Sequence, residues 1–179
     1  MLIINLDDRQ ASQSLSRLLQ NAQNSQPIMR GLAAELETMT SDNFDSESFG
    51  GAAWVRKKFG TGQTLADTGE LRDSIITSSD HDTASIGTNV VYARIHHFGG
   101  TIQAKNKPYL AFATPNGFAR VKAVDLPSRP FLPVSPAGEL QNGGDDRLLE
   151  VALAALTDGV NKNALQNQIS CYDMHRATR

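Results

Sequence analysis

Three prolines fall within seven residues, at Pro127, Pro130 and Pro133, and this run limits the fold more than any other feature of the chain. Each proline lacks a backbone N–H and holds φ near about −65°, and each pushes the residue before it into an extended conformation. Leu126-Pro127-Ser128-Arg129-Pro130-Phe131-Leu132-Pro133 is therefore neither a helix nor a central strand. It is a stiff, extended connector.

The stretch before it is strand-like. Tyr109–Thr114 and Phe118–Val124 flank Pro115-Asn116-Gly117, and Asn-Gly between two apolar runs is a strong hairpin signal. Ile75–Thr77 after Leu71 is a strand that the Thr68-Gly69 turn launches, and Ser85-Ile86-Gly87 is a second. Asn89 caps a short helix with Val91, Ile95 and Phe98 on one face; Gly99-Gly100 stops it, since glycine reaches the left-handed conformation a helix end needs. Thr101–Ala104 is extended.

Helical spacing marks both ends. After a short strand at Leu2–Leu6, Asp7 or Asp8 caps a helix carrying Leu15, Leu18, Leu19 and Ala22. A break near Asn24 precedes a second helix, with Pro27 in its first turn and Ile28, Leu32, Leu36 and Met39 on one face. Residues 41–64 are expected as one long flexible loop that orders on assembly, because polar residues and glycine surround the isolated Phe44 and Phe49. An apolar and basic patch at Trp54–Phe59 interrupts it. Beyond the connector, Asp145 or Asp146 caps a last helix whose apolar face is Leu148, Leu149, Ala152, Leu153 and Leu156. The expected class is α+β, with N- and C-terminal helices around a mostly antiparallel central sheet. One domain covers residues 1–160, followed by a polar, mobile tail at 161–179.

Composition excludes several classes. Hydrophobic residues make up 40% of 179 and charged residues 20%, with a net charge of −2, so neither wholesale disorder nor general attraction to nucleic acid is expected. No apolar run approaches the roughly 20 residues that span a bilayer, and no secretory leader is expected. The single cysteine, Cys171, suits a reducing, cytosolic site of synthesis. Gly60-Thr61-Gly62 lacks the lysine of a phosphate loop, and there is no nucleophile elbow and no His-Glu-x-x-His pair. His96 and His97 are adjacent, so on a helix they point about 100° apart and do not share a metal; one packed and one exposed histidine is the simpler reading. Asp67, Glu70, Asp73, Asp80 and Asp82 read as solvated turn charges. No catalytic residue, metal or cofactor is expected, although a metal-dependent hydrolase using His96 or His97 with Asp67 stands as the remotest alternative.

The charges are unevenly placed. Residues 31–50 hold Glu35, Glu37, Asp42, Asp45 and Glu47 with no cation, whereas residues 94–129 hold Arg94, Lys105, Lys107, Arg120, Lys122 and Arg129 against Asp125 alone. Such blocks suit a head-to-tail contact between subunits, or they screen each other within one subunit, or they are merely solvated.

Three segments, in order, resemble the phage virion morphogenesis family, which includes Mu G-like and tail completion proteins. They are Leu65-Ala66-Asp67-Thr68-Gly69-Glu70-Leu71-Arg72-Asp73-Ser74-Ile75, then Ile86-Gly87-Thr88-Asn89-Val90-Val91-Tyr92-Ala93-Arg94-Ile95-His96-His97-Phe98-Gly99-Gly100-Thr101-Ile102, then Leu126-Pro127-Ser128-Arg129-Pro130-Phe131-Leu132. Phe44…Gly51-Ala52-Ala53-Trp54 is similar to that family's approach to the first segment. Residues 103–117 run long for it, and no proline stands near Trp54. The resemblance implies a non-enzymatic virion protein of the tail completion or head–tail joining class. Such a protein would form a ring at the neck or tail end, with six subunits the expected number. Its partners would be its own copies and neck, tail-tube or connector proteins, with DNA only as passing cargo and no membrane. It would be made in the host bacterial cytoplasm and incorporated in the virion. Thr68, Gly69, Leu71, Tyr92, Ile95, Phe98, Gly99, Gly100 and Pro130 are expected to specify the fold. Tyr92, Ile95 and Phe98 would pack under the sheet. Interface candidates are Arg94, Lys105, Lys107, Arg120, Lys122, Arg129, Phe131, Phe44 and Phe49. The rival reading is a prophage-derived protein-binding module.

Overall fold

A computed structural model describes residues 8–57, 62–105, 108–114 and 117–160. The expectations for Leu2–Leu6, Lys107, the hairpin tip at Pro115-Asn116 and the tail 161–179 lie outside the described residues.

Two helices open the fold, α1 (Arg9–Gln23) and α2 (Gln26–Ser46). Helix α1 turns Ser14 and Leu18 inward and leaves Leu15 69% and Leu19 59% exposed, so its inner face keeps only Leu18 of the expected set. Asn21 explains the rotation: its amide donates to the carbonyls of Leu156 and Asp158, which fixes the α1 face that meets the C-terminal helix. Helix α2 does not stop at Thr40. It runs to Ser46 and buries Met39, Asn43 and Phe44, so the first part of the expected loop is helix. The hydroxyls of Thr38, Thr40 and Ser46 bond carbonyls one turn back, which satisfies polar groups that would otherwise compete with the helix. Glu47 ends it in the left-handed region at φ 49°.

A tight hairpin follows, β1 (Ser48–Phe49) with β2 (Ala52–Ala53). Gly50 and Gly51 both have positive φ, 53° and 90°, as a two-residue turn of this hand requires. Gly69 then opens a single helical turn, α3 (Glu70–Asp73), before the strand that was expected directly after it. That strand, β3 (Ile75–Ser79), pairs antiparallel with β4 (Ala84–Thr88), and both pack on α2. Helix α4 (Ala93–Phe98) is capped at Tyr92 rather than Asn89, and Val91 lies outside it, 96% exposed.

From Gly100 to Leu126 the chain makes a long antiparallel ribbon. Its root is β5 (Gly100–Gln103) against β8 (Ala123–Leu126), and its outer part is β6 (Leu110–Thr114) against β7 (Gly117–Val121). Ala104 N–H donates to the Lys122 carbonyl at 3.0 Å and links the two parts. The proline run returns to the body and ends in α5 (Gly144–Leu156), which packs on α2. Gly143 caps α5, with Asp145 and Asp146 in its first turn, where carboxylates favour the positive helix end.

The class is α+β. Among the described residues the strands form four two-stranded antiparallel pairs rather than one central sheet. Phe44, Trp54, Leu71, Ala93 and Phe131 form the buried core, and Phe49, Leu65, Ile75, Val90 and Leu132 pack on it. Phe44 meets Phe131 at 5.5 Å between ring centroids and Trp54 edge-on at 6.0 Å, offset geometries that aromatic quadrupoles favour.

Candidate functional site: an arginine-floored cleft beneath a ribbon

The ribbon overhangs the body and leaves a broad, open cleft of about 1490 Å³. Alternation puts Ile102, Val124 and Leu126 on the same ribbon face at the root, and Leu110, Phe112 and Val121 on one face farther out; all six line the cleft. The opposite wall is Val55, Leu65 and the turn Thr68–Leu71, and the floor includes His96 and Arg129.

Arg129 is 6% exposed. The proline run holds its backbone extended, its N–H donates to the His96 carbonyl, and its Nε donates to the Val55 carbonyl at 2.6 Å. Among the described residues no carboxylate pairs with it. Burial lowers its pKa from the usual value. His96 and His97 are also shifted down, each chiefly by burial, with the Arg129 charge adding to the effect at His96. Both shifts favour the neutral imidazole, and the Nδ1 atoms of both are buried without a hydrogen-bond partner. His97 is packed, against Phe131 at 5.1 Å, and His96 is half-buried rather than exposed. Among the described residues no group of three or more His, Cys, Asp or Glu is placed to hold a metal ion.

The interface candidates separate into two groups. Arg94, Lys105, Arg120 and Lys122 are exposed and make no ion pair with a described residue; Arg120 stacks over the Tyr109 ring at 4.9 Å. Phe44 and Phe131, in contrast, are 2% and 1% exposed and belong to the core. Phe49 is half-buried against that core, and Arg129 lies at the bottom of the cleft rather than on a surface. Lys107 lies outside the described residues.

The residues expected to specify the fold also divide. Gly99 sits at φ 71°, where a Cβ would come within 2.6 Å of the Ser128 backbone nitrogen, and Gly100 has φ 137° against Ile95. Leu71 is buried, and the Pro130 carbonyl accepts the Trp54 indole N–H. The Thr68 hydroxyl accepts a hydrogen bond from the Glu70 N–H at 3.4 Å. Tyr92 and Phe98, however, are 39% and 52% exposed and do not pack beneath a sheet. Helix α4 is too short to bury three residues of one face, so Ala93 and His97 take the inner positions. Tyr92 instead donates its hydroxyl to Glu70 at 2.9 Å, which raises its pKa.

The acidic block is used within the subunit, but not by the basic block. Arg147 bonds Glu35 at 2.6 Å and Asp42 at 2.9 Å, and Arg72 bonds Asp45 at 2.6 Å. The Glu47 carboxylate accepts the Thr64 N–H, and this hydrogen bonding lowers its pKa. Glu37 accepts from Thr77. Glu35 and Asp42 lie two turns apart on one face of α2, a spacing visible in the sequence once that helix is continued past Thr40.

Among the described residues no helix is long and apolar enough to cross a membrane. No solved structure matches the chain. The "Mu-like prophage FluMu G protein 2" of Haemophilus influenzae is 33% identical over 140 residues, covering 78% of this chain and 88% of that protein. The model of the phage virion morphogenesis family matches residues 6–147, a span holding the glycine stop, the ribbon and the proline run, and the chain belongs to that family.

Proposed function

We propose that the protein is a structural, non-enzymatic component of the tail completion or head–tail joining kind, acting by shape as a ring at the neck or tail end. Its partners are copies of itself and neck, tail-tube or connector proteins, and DNA passes only as cargo. It is made in the bacterial cytoplasm and incorporated in the virion. One observation carries this reading: the ribbon 100–126 stands over an open cleft instead of packing into the core. Its outer part leaves Phe118 81% exposed, and the ribbon also carries Lys105, Arg120 and Lys122, exposed and with no carboxylate partner among the described residues. Exposed aromatic and basic surface of this kind suits a contact with another chain.

Light scattering across concentration and salt tests the ring. A discrete oligomer of several subunits that loosens as salt rises supports it. Deletion of the gene from an inducible prophage tests the role. Heads and tails that accumulate unjoined, or tails of abnormal stability, support it; normal infectious particles overturn it. The open cleft also fits a prophage-derived binding module. A strict monomer, together with normal particles, would favour that reading.

A further inference from the structure

We infer that the cleft beneath the ribbon is a carboxylate-binding site anchored by Arg129, and that its occupant is the acidic, leucine-bearing outer face of α5 from a second copy of this chain. The inference rests on the self-assembling reading above and deepens it.

Arg129 supplies the first observation. A guanidinium withdrawn from water is costly unless a counter-charge and hydrogen bonds replace its hydration. The other two arginines held against the body are satisfied: Arg72 has Asp45, and Arg147 has Glu35 and Asp42. Arg129 is more deeply buried than either, yet among the described residues its side chain bonds only the Val55 carbonyl. Its terminal nitrogens are not among the sealed polar atoms, so they keep access to the cleft that the residue lines. The acids nearby are not on it. Glu70 holds the Tyr92 hydroxyl, Asp125 holds the Thr101 hydroxyl, and Asp67 is exposed at the rim. A planar fork with two free nitrogens fits a carboxylate in bidentate fashion. The cleft lining is balanced, with Arg56, Lys57 and Arg129 against Asp67, Glu70 and Asp125, so it suits a partner that brings one or two carboxylates among apolar groups rather than a continuous polyanionic nucleic-acid backbone. The apolar ribbon wall calls for apolar groups on either side of the incoming carboxylate.

Helix α5 supplies the complement. Asp146, Leu149, Glu150 and Leu153 follow at i, i+3, i+4 and i+7 and share one face. Leu149 and Leu153 are 58% and 49% exposed, and Asp146 and Glu150 are exposed without an ion pair among the described residues. The inner face of the helix is already spent on α2, with Val151 against Gly31 and Arg147 on its two acids. No residue of α5 lines the cleft, so within a subunit the two surfaces do not meet. A cleft on one copy and a helix on the next make a heterologous contact, which closes into a ring when the rotation allows.

Sedimentation velocity on the full chain decides the matter. Asp146→Lys with Glu150→Lys reverses charge on an exposed face and leaves the fold intact by circular dichroism. It should weaken self-association at least about tenfold, because a desolvated charge pair is lost. Arg129→Gln should do the same. Mixed one to one, the two variants should form a dimer that neither forms alone, since each retains the surface the other lacks. If Arg129→Gln does not fold, the helix variant alone decides. Both variants assembling like the wild type would overturn the site and leave the ring reading standing. A wild type that stays monomeric at every concentration and salt would remove self-assembly and this inference together.

Discussion

Trp54 donates its indole N–H to the carbonyl of Pro130 at 3.0 Å, across 76 residues of chain. The bond ties the strand leaving the β1–β2 hairpin to the proline run, and it places Phe131 against Phe44. With Arg129 Nε on the Val55 carbonyl one residue along, two neighbouring residues of each segment are stitched together. The core and the floor of the cleft are therefore built by the same pair of segments.

Loss of Phe131 should unfold much of this arrangement. Phe131→Ala removes a ring 1% exposed that touches Phe44 and His97, and a cost of about 3–5 kcal/mol is expected. Urea denaturation followed by Trp54 fluorescence measures it. A cost below about 1 kcal/mol would contradict the core as described.

Phe118→Ser should behave oppositely. The ring is 81% exposed, so the denaturation midpoint should move by less than about 0.5 kcal/mol equivalent. Self-association should weaken under the proposed function, and a change in folding stability without a change in assembly would count against the ribbon as an interface.

Gly99 has no tolerated replacement. At φ 71° with a Cβ only 2.6 Å from Ser128 N, Gly99→Ala combines backbone strain with a clash against backbone that cannot rotate away. A loss of about 2 kcal/mol or more is expected. Gly138, also at positive φ but with nothing near its Cβ, is the control: Gly138→Ala should cost about 1 kcal/mol. Thermal or chemical denaturation of the two variants side by side checks the difference.

Stability should fall on mild acidification. Burial lowers the folded-state pKa of His96 and His97 below the usual 6.5. The unfolded chain then binds protons first, so the contribution is complete above about 6.5 and is lost as pH falls through the depressed folded values. Glu47, also depressed, acts in the same direction at lower pH, below the ordinary carboxylate range. Denaturation midpoints from pH 8 to 5 should decline, and His97→Phe should flatten the upper part of that decline. An unchanged slope in the variant would show that His97 is not a source of it.

Arg147 joins α5 to α2 through Glu35 and Asp42. Partial exposure discounts the pairs, so Arg147→Met should cost about 1 kcal/mol. A double-mutant cycle with Glu35→Gln measures the coupling; a coupling of zero would leave the α2–α5 contact to apolar packing alone.

Local chemistry made several features legible before any fold was known. The proline run had to be extended because three residues in it lack a donor and have fixed φ. Gly99 had to end a helix, and Asn-Gly had to lie between paired strands. These depend on neighbours a few residues away; the structure keeps the extended proline run and the Gly99 stop, and it pairs the strands on either side of residues 115–116. Features that depend on distant partners were not legible. Phe44 lies in a polar stretch that looks like loop, and only Trp54 and Phe131, folded over it, turn that stretch into the last buried turn of α2. Leu15 and Leu19 look inward by spacing, yet Asn21 and its carbonyl partners rotate α1 the other way.

The charges show the same division. The sequence by itself determined the α+β class, the family, and the presence of an acidic block and a basic block. Which charges meet was decided by tertiary structure alone, because Coulomb attraction between side chains acts over a few ångströms of space and not along the chain. Folding brought Arg72 and Arg147 to the acids. It carried Arg129 under the ribbon, where it is buried and no carboxylate of the described residues pairs with it.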